Sequence, residues 1–287
     1  MPNERTIAKG REPGERPADP ARSAEGAWVV RTALSLAAAV ILTALSPSFA
    51  RAIGDGGELD VRVLRYDGGH HRPRETAPRR LAWELRKRTS VDTRLEPTEA
   101  RLDDPSIFET PFLYWAGDVA FPPLSEPEIV GLRRFVQLGG MVLVDDASAA
   151  AAEDGFWGSV RRELRRALPD VPIGPLPASH TVYRSFYLIE RPEGRVVGPP
   201  HLDAMVIDGR AAVLLSAHDL GGAWARDVYG NWTHPVEPGG DLQRERAIRL
   251  GVNVVLYALC LDYKDDQVHA PFIMRRRGGR PPDESER

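Results

Sequence analysis

The chain has 287 residues, with 38 Lys and Arg against 41 Asp and Glu and a formal net charge of −3. So even a balance excludes the broad basic excess that bulk nucleic-acid binding requires. A single cysteine, Cys260, excludes an intramolecular disulfide.

Met1 to Gly26 is polar and proline-bearing, and is expected to be disordered. Thr32 to Leu45 follows as an unbroken small and apolar run, preceded by basic residues ending at Arg31. It falls short of the roughly 20 apolar residues of a spanning helix, and Ser46-Pro47 ends it. Ala50-Arg51-Ala52 then fits the small-x-small rule of signal cleavage. The expectation is export to the periplasm or cell envelope with cleavage after Ala52. The alternative is an uncleaved anchor in the inner membrane over residues 28–45. The chain divides into this leader (1–52), an α/β domain (53–265) and a basic, disordered tail (266–287) that contains Arg275-Arg276-Arg277.

Leu59 to Tyr66 alternates around Val61, Val63 and Leu64 and reads as the first strand. A polar loop holding His70-His71 leads to Arg79–Arg88, where Leu81, Ala82 and Leu85 have the three-to-four spacing of an amphipathic helix. Val91 to Leu95 reads as a weak strand. Phe112-Leu113-Tyr114-Trp115 is a buried strand that opens into Ala116-Gly117-Asp118. Ser125-Glu126-Pro127-Glu128 is a capping box, and Ile129, Leu132, Phe135, Val136 and Leu138 form the apolar face of the helix it starts. Gly139 suits the left-handed position that stops such a helix.

Met141 to Val144 is wholly apolar, as expected of a parallel strand covered on both faces. Phe156 to Leu168 reads as a helix charged on one side, and Pro169 to Pro177 is punctuated by proline. Val182 to Ile189 reads as a strand or a short helix. Leu202 to Ile207 and Ala211 to Leu215 flank Asp208-Gly209, a hairpin turn signal. Leu242 to Leu261 is helical, with Ile248, Val252, Val255 and Leu259 on one face. Cys260 lies in that apolar run and is expected as a small buried hydrophobe.

Asp145 and Asp146 stand at the carboxyl end of a strand, the edge where open α/β sheets bind ligands. Two carboxylates there suit acid–base work or the holding of a hydroxyl. On an extended chain, however, neighbours point to opposite faces, so only one of them faces the site; the alternative is that one caps the following segment and the other is solvated. His218-Asp219, with Trp224, leaves the hairpin strand and mixes an aromatic plate with hydrogen-bonding groups. His180 is a loop histidine just before an aromatic run. Asp145, Asp146, His180 and Asp219 are the catalytic candidates. Tyr66, Asp118, Tyr183, His218 and Trp224 join them as ligand-binding candidates.

No H-E-x-x-H pattern occurs, and His180 with Asp145 or Asp219 lacks the tight spacing of a zinc site, so no metal is expected. Neither a Walker A loop nor G-x-G-x-x-G is present, and no cofactor is expected. Asp146-Ala147-Ser148 lacks the glycines of a nucleophile elbow.

Arg65-Tyr66, Phe112 to Gly117, Gly139-Gly140 with Asp145-Asp146, then His180, Tyr183-Arg184-Ser185-Phe186-Tyr187 and His218-Asp219 with Trp224 together resemble the DUF4159 family. The resemblance covers about Leu59 to Tyr263. It implies a bacterial, exported or membrane-associated domain of unknown function with a fold similar to class I glutamine amidotransferases. That fold is a flavodoxin-like α/β three-layer sandwich around a mostly parallel sheet. Amidotransferase activity does not follow, because that chemistry needs a cysteine on a strand-to-helix elbow and Cys260 lies in the last helix. His218 stands where the family pattern often shows Asn.

The expected function is non-catalytic binding of an envelope ligand or protein partner at the carboxyl edge, in a groove lined by Tyr66, Tyr183 and Trp224. Contact with a membrane is expected only through an uncleaved leader. One alternative is an envelope glycan or peptide hydrolase, which requires Asp145 or Asp146, His180 and Asp219 to converge. The other is a structural subunit of a membrane-associated complex.

Overall fold

The computed structural model describes residues 58–276, with side chains as far as residue 260. The expected leader therefore lies outside the described residues, as does the chain end from 277. Seven strands form one sheet: β1 (Arg62–Leu64), β2 (Glu99–Ala100), β3 (Phe112–Gly117), β4 (Met141–Asp146), β5 (Ile173–Pro175), β6 (Asp203–Ile207) and β7 (Arg210–Ser216). Their order is β2-β1-β3-β4-β7-β6-β5. The first five in that order are parallel, and β6 and β5 extend the sheet in antiparallel sense. The sheet is thus the mostly parallel one expected.

Among the described residues five α-helices accompany it: α1 (Ala77–Arg88), α2 (Glu126–Gln137), α3 (Phe156–Ala167), α4 (Leu220–Trp224) and α5 (Gly240–Arg276). Leu81 and Leu85 of α1, Leu220 and Trp224 of α4 and Val252 and Val255 of α5 share one core with Val63, Tyr114 and Leu143 of the sheet. Ile129 and Phe135 of α2 and Phe156 and Val160 of α3 share the other with Leu113, Trp115, Val142 and Val144. Strand neighbours alternate between the two cores, as the pleat requires, and the result is a flavodoxin-like three-layer sandwich. Among the described residues no helix is long and apolar enough to cross a membrane.

Local signals explain most boundaries. Ser125 Oγ accepts from Glu128 N while the Glu128 carboxylate accepts from Ser125 N at 2.9 Å, which closes the expected capping box. Gly139 stops α2 in the left-handed region at φ 104°. Asp208 and Gly209, at φ 50° and 78°, make the tight turn of the β6–β7 hairpin, as I′ geometry demands.

Several expectations are corrected. Val91–Leu95 supplies only a bridge, Leu59 to Thr93, and the edge strand is β2 further on. Pro169–Pro177 contains β5, which pairs with β6. Of the two readings of Val182–Ile189 the strand fails and the short helix holds in part, since a 3-10 helix, Thr181–Arg184, begins the segment. Leu138 is exposed, one residue beyond the apolar face of α2. Cys260 is exposed too, because it falls off the buried stripe of Val252, Val255 and Leu259. Helix α5 runs to Arg276, beyond the Leu261 at which the sequence pattern ends it.

Candidate functional site

Asp145 and Asp146 diverge as the pleat dictates. Asp146 Oδ1 accepts from Ser148 N at 3.0 Å and Ser148 Oγ at 2.6 Å, and Oδ2 accepts from Ala151 N at 2.9 Å. It closes the loop after β4, where Ala149 and Ala151 take positive φ. Asp145 points to the other face. Its Oδ2 accepts from Tyr114 Oη and Gly221 N, both at 2.7 Å, and its Oδ1 from Leu220 N at 2.9 Å.

Asp219 stands beside it as the cap of α4, held in the left-handed region at φ 50°. Its Oδ1 accepts from Gly222 N at 2.9 Å. Arg74, in the loop from β1 to α1, grips the same carboxylate with both prongs, Nε to Oδ1 at 3.0 Å and Nη2 to Oδ2 at 2.7 Å. Such a fork is among the stronger side-chain pairings. Arg195 Nε donates to Oδ2 from the opposite loop.

Arg74 also donates to Ala147 O at 3.1 Å and meets His234 Nε2 at 3.2 Å. A guanidinium only donates, so Nε2 of His234 is the acceptor and carries no proton. Burial, then the Arg74 charge, lowers the His234 pKa in agreement. The network ties together the loops after β1, β4 and β7, the 193–198 segment and the loop around His234.

The glycines make this packing possible. A Cβ on Gly221 would lie 2.6 Å from Tyr114 Oη, and one on Gly222 would collide with the Asp219 carboxylate. Only glycine lets both amides reach the two aspartates. Gly194 is similarly pressed against the His218 carbonyl, and Val196 N donates to that same oxygen at 3.2 Å.

Both carboxylates are fully buried. Desolvation, then the Asp219 charge, pushes Asp145 up to about 7, while Gly221 N, Tyr114 Oη and Leu220 N oppose the rise. The Tyr114 phenol is raised well above its usual value by burial and by Asp145. Burial works against the Arg74 charge and the Asp219 carboxylate outweighs it, so the Arg74 pKa is raised. A carboxyl near 7 has the right strength for acid–base work, but every donor around Asp145 comes from the chain itself. A cavity of about 220 Å³ lies elsewhere, lined by Leu188, Arg191, Glu193, Arg246 and Arg249 among others.

The remaining candidates are dispersed. His180 Nδ1 accepts from Val182 N at 3.3 Å, and its Nε2 is 3.5 Å from Tyr257 Oη. That hydroxyl accepts from Ala211 N at 3.0 Å, at the amino end of β7. Asp145 is registered with Ser216 at the carboxyl end of the same strand. His180 is therefore at the opposite edge of the sheet, and the convergence a hydrolase needs does not form.

The expected aromatic groove does not form either. Tyr66 is packed in one core and Tyr183 and Trp224 in the other, with the sheet between them. Their polar atoms are used internally: Tyr66 Oη donates to Ala116 O at 3.0 Å, Tyr183 Oη accepts from Leu202 N at 2.9 Å and Trp224 Nε1 donates to Ala247 O at 3.0 Å. His218 is fully buried, its Nδ1 accepting from Gly198 N at 3.0 Å, and burial lowers its pKa to about 4.

Asp118 and His180 are the partly open ligand-binding candidates, and Asp118 is the one at the carboxyl edge. Its carboxylate meets His70 Nδ1 at 3.1 Å. The pair lies where the loops after β1 and β3 part. Strand order turns there, since β1 has β2 on one side and β3 on the other. Such a switch point is the usual ligand crevice of open α/β sheets.

Arg74, Arg195, Tyr114 and His234 had no local signature in the sequence. The one available signal was Gly221-Gly222, separated from Asp219 by Leu220 alone, since paired glycines at a helix start imply a close backbone approach.

Fold and site together define an α/β sandwich domain with a locked carboxyl edge. The family model of the domain of unknown function DUF4159 matches residues 60–259, and the chain belongs to that family. No curated protein matches the chain.

Proposed function

We propose that the chain is an exported α/β module that binds a ligand or protein partner at the carboxyl edge of its sheet without turning it over. The observation that carries this reading is the saturation of Asp145 and Asp219. Both are fully buried, and all the donors they meet are tyrosine, arginine and backbone groups of the chain. Buried, fully engaged carboxylates stiffen the loops they join. A rigid rim lowers the ordering cost of binding, and His70 and Asp118 at the switch point supply the open polar groups.

Export rests on the apolar run Thr32 to Leu45 and the Ala50-Arg51-Ala52 site that follows it. The rival reading of an envelope hydrolase has the raised pKa of Asp145 in its favour but lacks the convergence it requires, since His180 stands at the other end of β7. That reading needs a route from solvent to a carboxyl with no exposed surface.

The test is native purification from the cell envelope, followed by mass spectrometry for bound molecules, with the Asp118→Ala variant carried in parallel. A bound species that is chemically unchanged on release and lost from Asp118→Ala supports the reading. Recovery of a cleaved product, or equal retention by the variant, contradicts it. Amino-terminal sequencing of the same material reads the leader, and an intact Thr32 to Leu45 run would overturn cleavage after Ala52.

A further inference from the structure

A second surface uses none of the rim's residues. Helix α1 buries Leu81, Ala82 and Leu85 and leaves Arg79, Arg80, Trp83, Arg86 and Lys87 wholly or partly open. The Arg80 guanidinium lies 4.0 Å from the centre of the Trp83 ring and 5.5 Å from that of Trp232. Lys87 Nζ lies 4.6 Å from Trp83, and the Arg226 and Arg244 guanidiniums lie 3.8 and 4.2 Å from Trp232. Cations and indole rings thus alternate across one face.

Arg79 pairs with Glu96 at 3.3 Å, Arg80 with Glu84 and Arg86 with Asp92 at 2.7 Å, while Lys87, Arg226 and Arg244 form no ion pair among the described residues. Arg226 donates to Gly230 O and Arg244 to the Ala223 and His234 carbonyls, none of which returns a charge. The Nε atoms of Arg80, Arg226 and Arg244 are buried and meet no hydrogen-bond acceptor. Glu84 serves Arg80 but is shared with Arg88. Asp241 is the acidic neighbour of Arg244. Burial lowers the pKa of both Arg80 and Arg244, and the Arg226 charge adds to the effect.

From the same face a short hairpin projects, based on the Arg226–Trp232 bridge. At its tip Val228 is 90% exposed and Tyr229 87%. The tip is stiff. Asp227 Oδ1 accepts from Tyr229 N at 2.9 Å and Asn231 N at 2.7 Å, Asp227 N donates to Asn231 O at 2.8 Å, and Arg226 Nη1 donates to Gly230 O at 3.0 Å. The one acid at the tip is therefore spent on its own backbone. Thr76 Oγ1 donates to Arg226 O at 2.8 Å, which fixes the hairpin to the start of α1.

We propose that this face docks on an anionic bilayer, with Val228 and Tyr229 entering the headgroup boundary while Lys87 and Arg226 meet lipid phosphates. A soluble polyanion would satisfy the cations but has no use for a rigid apolar tip. A bilayer takes both, and indole rings flanked by basic groups suit its interface. Basic residues near an anionic surface each strengthen binding several-fold.

The test is co-sedimentation of the full chain with vesicles of phosphatidylcholine alone and of phosphatidylcholine mixed with phosphatidylglycerol. The leader's apolar run is present throughout, so differences between variants read this surface alone. Mixed vesicles are expected to bind on the order of tenfold more tightly, with the advantage shrinking in high salt. Lys87→Glu and the paired Val228→Asp, Tyr229→Asp variant should each lower that partition by on the order of tenfold. Both should keep the wild-type unfolding temperature, since these side chains are open to solvent. Equal binding of wild type and variants, or equal binding to both vesicle types, overturns the proposal. Binding to heparin without binding to vesicles overturns it in favour of a soluble polyanion.

Discussion

At Asp145 three donors converge on one carboxylate, while burial and the neighbouring Asp219 charge favour the proton. Its pKa in the fold, about 7, stands above the roughly 3.9 of an exposed aspartate. Between those values the fold binds a proton that the unfolded chain has released. Its contribution is therefore full below about pH 4 and is lost as pH rises to about 7.

His218 works in the opposite sense. Its pKa of about 4 lies below the roughly 6.5 of a free imidazole, so acidification through that window favours the unfolded chain. Unfolding free energies across pH 4 to about 7 check both signs. Wild type minus Asp145→Asn should fall with rising pH, and wild type minus His218→Asn should climb. The same slope for both differences would remove burial as the cause of the two shifts.

At the scale of elements, α2 shows how local chemistry and tertiary contact compete. The Ser125 and Glu128 capping box is a purely local device, and Ser125→Ala should cost about 1 kcal/mol. Gly131 sits inside the same helix, where alanine ordinarily gains roughly 1 kcal/mol over glycine. Here a Cβ would collide with the Leu102 carbonyl, so Gly131→Ala should destabilise. Denaturant titration of both variants checks the pair, and a gain in stability for Gly131→Ala would show that Leu102 yields freely. The boundaries legible in the sequence are of the first kind: the capping box, Gly139 and the Asp208-Gly209 turn all act within a few residues. Those misread are of the second kind. Strands β2 and β5 are short edge strands whose residues carry little alternation, and only pairing with β1 and β6 makes them strands.

Over the whole molecule the same division separates the fold from the site. Apolar strands and amphipathic helices were enough to announce a parallel α/β sheet and to mark its carboxyl edge at Asp145 and Asp146. The pleat was enough to separate the two carboxylates. The partners of Asp145 and of its neighbour Asp219 could not be read, because Tyr114 and Gly221 reach Asp145 from 31 and 76 residues away and Arg74 and Arg195 reach Asp219 from 145 and 24 residues away in the chain. Aromatic residues misled for a related reason. Tyr66, Tyr183 and Trp224 look like a binding surface in a linear sequence, yet the sheet divides them between two cores. His180 was misplaced because the segment after β5 runs back along α5 instead of staying at the carboxyl edge.

Asp219 joins segments from across the domain, so its worth is a property of the entire fold. The most direct measurement is the unfolding free energy of Asp219→Asn by denaturant titration. A structural lock predicts a loss of about 3 kcal/mol, because two arginines keep their charge and lose their buried partner. A catalytic carboxylate pair predicts the opposite sign. Two facing carboxylates repel, and removing one relieves strain held for chemistry. Unchanged or increased stability in Asp219→Asn would therefore contradict a locked, non-catalytic rim.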